Sequence, residues 1–153
     1  DIAALQQLNY AAGSGGYSNS TTPSIWPSKG VITSPYGSRV DPVTGSTSAF
    51  HEGIDIADDY GTPIVATASG VVTFAGYTDG GYGNLVEIDH GNGFVTRYGH
   101  NSAVVVTVGM TVKQGQMIAA MGSTGKSTGA HVHYEVRVNG TPVDPMVFLP
   151  ISN

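Results

Sequence analysis

From residue 131 the chain reads His-Val-His-Tyr-Glu-Val-Arg-Val, a strict alternation of polar and apolar positions closed by Asn139-Gly140. Side chains on a strand point alternately to its two faces. The pattern therefore predicts a strand with His131, His133, Glu135 and Arg137 on one face and Val132, Tyr134, Val136 and Val138 on the core face. Asn-Gly supplies two residues that tolerate positive φ, so a tight hairpin turn is expected at 139–140. Short runs of the same kind, bounded by Gly, Pro and Asp, predict further strands over 31–34, 53–57, 63–66, 70–76, 84–90, 94–99 and 116–121. His90-Gly91-Asn92-Gly93 reads as the turn between two of them. Consecutive strands on short loops make an antiparallel sheet or sandwich, so the fold class is mainly β. Within this region only Asp144-Pro145, ahead of Met-Val-Phe-Leu, suggests a helical turn, with Asp144 as N-cap and Pro145 in the first position.

The start of the chain is different. Ile2, Leu5, Leu8 and Ala12 recur at spacings of three and four, a helical stripe. A dozen residues are too few for a lone helix in water, so this segment either packs on the main domain or continues something longer. Gly13 to Ser24 is rich in Gly, Ser, Asn and Thr and has the composition of a flexible linker. The expected division is residues 1–24 as a helical segment and linker, and residues 25–153 as the main domain.

Composition narrows the class. The 153 residues suit one domain with a substantial core, and 22 Gly with 8 Pro agree with many turns. The formal net charge is −5, without a basic run, which argues against nucleic acid or an anionic membrane as partner. No apolar run approaches the ~18 residues of a membrane span. There is no cysteine, so thiolate metal sites, cysteine nucleophiles and disulfides are excluded. The first residue is Asp1 rather than Met, which reads as a mature or excised form from which any signal peptide is gone.

The candidate chemistry lies in histidines and one carboxylate. In His51-Glu52-Gly53-Ile54-Asp55-Ile56, strand geometry would put His51 and Asp55 on one face and the isoleucines on the other. Two His and one carboxylate leave a tetrahedral Zn²⁺ one open position, the layout of a catalytic centre. Taken singly, His51-x3-Asp55 and His131-x-His133 are equally readable as surface side chains; together they favour the metal. His100 ends the run Thr96-Arg97-Tyr98-Gly99-His100-Asn101 and reads either as a functional group or as a hydrogen-bonded turn residue. His90 is read as structural. Imidazole ligands donate their second N–H to a partner, and Glu135 is the nearest candidate on the same face. The Gly122–Gly129 loop is either a plain turn or a lip that lets a substrate backbone come close.

These residues carry a family resemblance. The combination of His51-x3-Asp55, Tyr98-Gly99-His100 and His131-Val132-His133 resembles the M23 zinc metallopeptidases of the lysostaphin and LytM type, which cut peptidoglycan peptides. Trp26-Pro27, Tyr36-Gly37-Ser38-Arg39, Gly61-Thr62-Pro63, Gly70-Val71-Val72, Tyr82-Gly83-Asn84, Val112 to Gln116 and Gly122 to Gly129 extend the likeness in the family's order, over roughly residues 25 to 150. Departures are mild: Gly99 and Asn101 stand where many members have Ala and Leu, and Ala130 and Val132 where many have Pro and Leu.

The resemblance implies a central antiparallel sheet with a groove formed by surrounding loops. It implies zinc held by His51, Asp55 and His133, with His100 and His131 as catalytic imidazoles. Beside that, Asn84, Tyr98 and Ser127 are read as residues of the substrate groove, with Asn84 and Tyr98 touching either substrate or the groups that support the site. It further implies hydrolysis of peptidoglycan stem peptides or cross-bridges outside the cytoplasm, and leaves room for an envelope partner reached through the N-terminal segment. Two other classes are consistent with parts of the text. A non-hydrolytic envelope scaffold would keep the fold, but such members usually lack a ligand. A lipoyl or biotinyl carrier is suggested by Val108-Gly109 and Val112 to Ile118, but neither Lys113 nor Lys126 sits at a hairpin tip of the required kind.

Overall fold

In the computed structural model residues 17–40 and 47–151 are described; the helix expected over 1–12 lies outside them. Thirteen strands follow in chain order: β1 Val31–Ser34, β2 Gly37–Val40, β3 Thr47–His51, β4 Ile54–Ala57, β5 Pro63–Val65, β6 Gly70–Thr78, β7 Gly83–Asp89, β8 Phe94–Asn101, β9 Ala103–Val104, β10 Thr111–Val112, β11 Met117–Ala120, β12 His131–Val138 and β13 Thr141–Val143. The strands expected from alternation all form, with ends shifted by up to two residues. The five additional ones are short: β2 and β3 have four and five residues, and β9, β10 and β13 only two or three, too few to show a period.

The main sheet runs β1-β4-β12-β8-β7-β6-β10 and is antiparallel throughout. β12 is its organising strand. Along one edge His131 to Tyr134 pair with β4, and Val136 to Val138 pair with β13 beyond the turn at Asn139 (φ 51°) and Gly140 (φ 85°). Its other edge pairs with β8 from His133 to Val138. The cross-strand partners of His133 are therefore Asp55 on β4 and Gly99 on β8. Pro142 faces Arg137 from the outer strand, where its missing N–H costs no ladder bond. Smaller sheets, β5-β11-β9 and β2-β3, complete the described strands.

The alternation of β12 gives the expected two faces. Val132, Tyr134 and Val136 are fully buried and join Ile54, Ile56, Val86, Ile88 and Tyr98 from the neighbouring strands. Ile64, Ile118, Ala119 and Met121 of the β5–β11 layer belong to the same cluster, so the core lies between the large sheet and the small one. Burying each large side chain contributes ~1.5–3 kcal/mol. The helical turn appears as a 3₁₀ segment, Pro145–Val147, with the Asp144 carboxylate accepting from the Met146 N–H at 3.0 Å.

Two features refine the sequence reading. His51 and Asp55 belong to two strands rather than one: β3 ends at His51, β4 begins at Ile54, and Gly53 between them packs so closely on Tyr134 that a Cβ there would run into the Tyr134 carbonyl oxygen. The described part of the Gly/Ser-rich stretch lies along the domain. Ser18 and Gln114 exchange backbone hydrogen bonds of 3.0 and 2.9 Å, and the Gln114 side-chain amide meets Thr22 O, Ser24 Oγ and Thr67 O at 3.0–3.2 Å.

Candidate metal centre and groove

The pairing of β4, β12 and β8 brings together side chains that are far apart in the chain. His51 Nε2 lies 3.3 Å and His133 Nδ1 3.0 Å from the same oxygen of Asp55, Oδ1. Donor atoms of His51, Asp55 and His133 all fall within 4.8 Å of one another. A tetrahedral zinc with N and O ligands at ~2.0–2.2 Å would space its ligand atoms roughly 3.3–3.6 Å apart, so the set fits such an ion.

The hydrogen bonds behind each ring decide which nitrogen is available. A carbonyl oxygen only accepts, so His51 Nδ1, at 2.8 Å from Pro35 O, must carry the proton, leaving the Nε2 lone pair toward Asp55. His131 Nδ1 donates to Gly129 O at 2.9 Å, and its Nε2 stands 3.8 Å from Asp55 Oδ1. His100 Nδ1 donates to Thr124 O at 2.7 Å. His133 is reversed: Nε2 faces Glu135 Oε2 at 2.8 Å, which turns Nδ1 to the centre. The ring centroids of His100 and His131 are 4.5 Å apart, and His100 is 6.2 Å from His133.

Charge in the site is arranged by burial opposed to pairing. Burial favours the neutral acid at Asp55, but the hydrogen bond from His133 and the positive charge of that ring outweigh burial and hold the carboxyl well below its ordinary range. Burial alone would lower His133, yet Asp55 and Glu135 on either side hold it up at about 9. Glu135 is 1% exposed; its bonds to His133 and Tyr82 override burial and bring it down to about 2. His100 is shifted down, first by burial and then by the neighbouring imidazoles, so it is neutral at physiological pH.

His100 itself adopts φ 66°. A left-handed backbone costs a residue other than Gly ~1–2 kcal/mol, and the cost is carried by bonds that over-determine the position. Its N–H donates to Tyr82 O at 2.6 Å and its carbonyl accepts from Thr124 N at 3.3 Å.

Around this cluster lies a groove of about 600 Å³. Its lining includes the five residues just described, Phe50, Glu52, Glu135, the 80–82 loop and Lys126 to Thr128. The two loops are fastened together: Lys126 N donates to Gly81 O at 2.9 Å, and Gly83 and Gly125 pack so tightly that a Cβ on either would strike the other loop's backbone. The Gly122–Gly129 loop is thus a lip of the groove.

Of the three groove residues expected from the sequence, only Ser127 lines it, 3.2 Å from His131 Nδ1 and donating to Gly129 O at 2.8 Å. Tyr98 is a correction. It is fully buried, with its hydroxyl among Thr67 N and Oγ1 at 3.0 Å and Thr96 Oγ1 at 2.7 Å. Parity explains this: Arg97 faces the same side as Glu135, so the next residue must face the core. Asn84 lies behind the lip, where its Nδ2 donates to the Asn101 backbone carbonyl and Asn101 Nδ2 donates to that of Asn84, both at 3.0 Å. His90 is buried between Ser69 O at 2.7 Å and Thr96 Oγ1 at 2.9 Å, the structural placement expected of it. Sequence reasoning passed over Tyr82, Phe50 and Lys126 as groove residues; the signals for Tyr82 were its place in the Tyr82-Gly83-Asn84 motif and an aromatic set among Gly80, Gly81 and Gly83.

Among the described residues no helix is long and apolar enough to cross a membrane. The sequence is 51% identical over 120 residues to the DD-carboxypeptidase/endopeptidase Mpg of Neisseria meningitidis, covering 78% of this chain and 27% of that protein. It is 39% identical over 125 residues to the murein hydrolase activator NlpD of Escherichia coli K12, covering 82% of this chain and 31% of the relative. The chain thus spans about a third or less of these relatives. The fold matches a zinc-containing peptidase from Vibrio cholerae with a TM-score of 0.73 at 36% identity, over 85% of this chain and 39% of that one. It matches the catalytic domain of the antimicrobial peptidase lysostaphin from Staphylococcus simulans with a TM-score of 0.68 at 36% identity, over 76% and 90%. The family model described as Peptidase family M23 matches residues 49–145, more than half of the sequence. The chain belongs to peptidase family M23.

Proposed function

We propose that residues 25–153 form a zinc-dependent endopeptidase that hydrolyses peptide bonds in peptidoglycan stem peptides or cross-bridges, acting outside the cytoplasm. The observation that carries this reading is the convergence of His51 Nε2, His133 Nδ1 and Asp55 Oδ1 beside two further imidazoles whose Nδ1 atoms are already engaged. In this reading His51, Asp55 and His133 hold the zinc. The chemistry such a centre supplies when loaded is Lewis acidity, which polarises a scissile carbonyl and brings the pKa of water down toward ~7.

The chain's own groups do the rest. His100 is neutral and has its Nδ1 proton committed to Thr124 O, so Nε2 is free to accept a proton from the attacking water. His131 is fixed likewise through Gly129 O, and as an imidazolium, with a second proton on Nε2, it hydrogen-bonds the developing oxyanion or passes that proton to the leaving amine. The Gly80–Tyr82 and Lys126–Thr128 loops confine a peptide backbone over these groups. Among relatives, an endopeptidase and a peptidase named as zinc-containing support the reading.

A relative named as a murein hydrolase activator favours a second reading, a non-hydrolytic regulator that binds an envelope partner. Digestion of purified peptidoglycans with different cross-bridges, with mass analysis of the new termini and a chelator control, separates the two. Release of peptides by the wild type, lost in Asp55→Ala together with zinc and lost in His131→Ala with zinc retained, supports the peptidase. No release from any substrate by zinc-loaded protein rejects it in favour of the regulator.

A further inference from the structure

Tyr82 touches both halves of the proposed centre. Its hydroxyl donates to Glu135 Oε2 at 2.6 Å, the same oxygen that meets His133 Nε2. Its backbone carbonyl accepts the N–H of His100, the residue held at positive φ. Its ring lies 5.8 Å from that of His133 and so near the β8 backbone that a Cβ on Gly99 would come to 3.1 Å from Tyr82 Cδ1. Behind it, Arg97 donates to the phenol oxygen at 3.2 Å while its Nε is held by Glu87 at 2.6 Å. No other described side chain bonds to the partner of His133 while its own main chain holds His100.

We infer that Tyr82 is a positioning residue that couples the metal-binding imidazole of His133 to the catalytic imidazole of His100. The inference rests on the zinc reading given above. The hydroxyl acts through Glu135. That carboxylate serves three donors, Tyr82, His133 and Arg137. Removing one lets the carboxylate swing, and His133 Nε2 loses a fixed acceptor. Groups that orient a metal's imidazole in this way change affinity ~10–100-fold when removed. Tyr82 stands one bond further out, so its effect belongs at the lower end. The carbonyl acts on the other half, and no side-chain change deletes it; only loss of the ring, which seats residue 82 against Gly99, displaces it.

The two links are separable by substitution. Tyr82→Phe keeps the ring and removes only the hydroxyl: zinc affinity, measured by chelator competition, is expected to fall about tenfold. Tyr82→Leu removes the seat as well and is expected to lower kcat of the fully zinc-loaded enzyme beyond the Phe variant. A double-mutant cycle with Glu135→Ala gives the readout that a merely structural role would not move. In the Glu135→Ala background Tyr82→Phe should have no further effect on zinc affinity, because the group it acts through is gone.

Additive effects in that cycle, or a Tyr82→Phe protein that binds zinc as tightly as wild type, overturn the inference while leaving the zinc centre in place. A Tyr82→Phe protein that does not fold overturns it too, since the hydroxyl would then support the fold rather than aim His133. Wild-type protein that binds no zinc rejects the metal reading itself and takes the inference with it.

Discussion

Glu135 Oε2 lies 2.8 Å from His133 Nε2, and this one contact sets which nitrogen of the ring faces Asp55. Without an acceptor behind Nε2 the imidazole would be free to present either atom. Glu135→Ala is therefore expected to weaken zinc binding ~10–100-fold, and Glu135→Gln much less, because an amide oxygen still accepts the Nε2 proton. Competitive chelator titration checks both; equal affinities for all three proteins would remove Glu135 from the account.

Proton release should accompany metal binding. In the metal-free protein His133 sits between two carboxylates with its pKa at about 9, raised above the ordinary value of 6.5. It is therefore protonated at neutral pH and must lose a proton to offer Nδ1 as a ligand. Apparent zinc affinity is expected to rise about tenfold per pH unit between pH 7 and 9 and to flatten above it. Calorimetry in buffers of different ionisation enthalpy counts the proton; a pH-independent affinity across that window contradicts the assignment.

The same shift has a consequence for stability without metal. A pKa raised on folding stabilises the fold fully below the unfolded value near 6.5, and that contribution is lost as pH climbs through about 9. Urea unfolding in excess chelator should show metal-free wild type losing stability from pH 7 to 9 relative to His133→Gln. A constant difference between the two proteins would disprove the linkage.

His90 behaves in the opposite sense. Burial pushes its pKa down, outweighing the hydrogen bond to Ser69 O, so the fold prefers the neutral ring. Its contribution is complete above the unfolded value near 6.5 and is lost as pH falls toward the lower, folded one. The stability difference between wild type and His90→Gln is expected to shrink as the pH falls from 7 to 5. Urea midpoints at the two pH values, with chelator present, decide it.

Gln114 ties residues 17–24 to the domain: its side-chain amide meets Thr22 O and Ser24 Oγ on that segment at 3.2 and 3.1 Å, and Thr67 O on the domain at 3.0 Å. Gln114→Ala takes this donor from the buried Thr67 carbonyl and should cost ~1–3 kcal/mol. It should also speed proteolysis at Tyr17 to Ser24. An unchanged urea midpoint would mean that this segment merely rests on the surface.

Periodicity made much of this fold legible. The two faces of β12, the Asn139-Gly140 hairpin and the Asp144 cap are local matters, set by side-chain parity and by the φ angles that a few residues tolerate. Parity applied to Arg97 and Tyr98 would also have sent Tyr98 to the core, although its place next to Gly99 and His100 suggested the groove. The break at Gly53 escaped notice because it depends on the carbonyl of Tyr134, a residue far along the chain that approaches only once β4 and β12 have paired.

By itself the sequence determined the donor chemistry: which residues can bind a cation, which faces they share, and that cysteine has no part. Only the tertiary structure decided the orientation of each imidazole, because Pro35 O, Thr124 O, Gly129 O and Glu135 each fix one ring. Pro35 and Thr124 come from loops outside the imidazole's own strand, and Tyr82, which reaches both His100 and Glu135, comes from another. Strand pairing follows from side-chain alternation, whereas the position of a loop carbonyl follows from the packing of the whole sheet, and no local pattern records it.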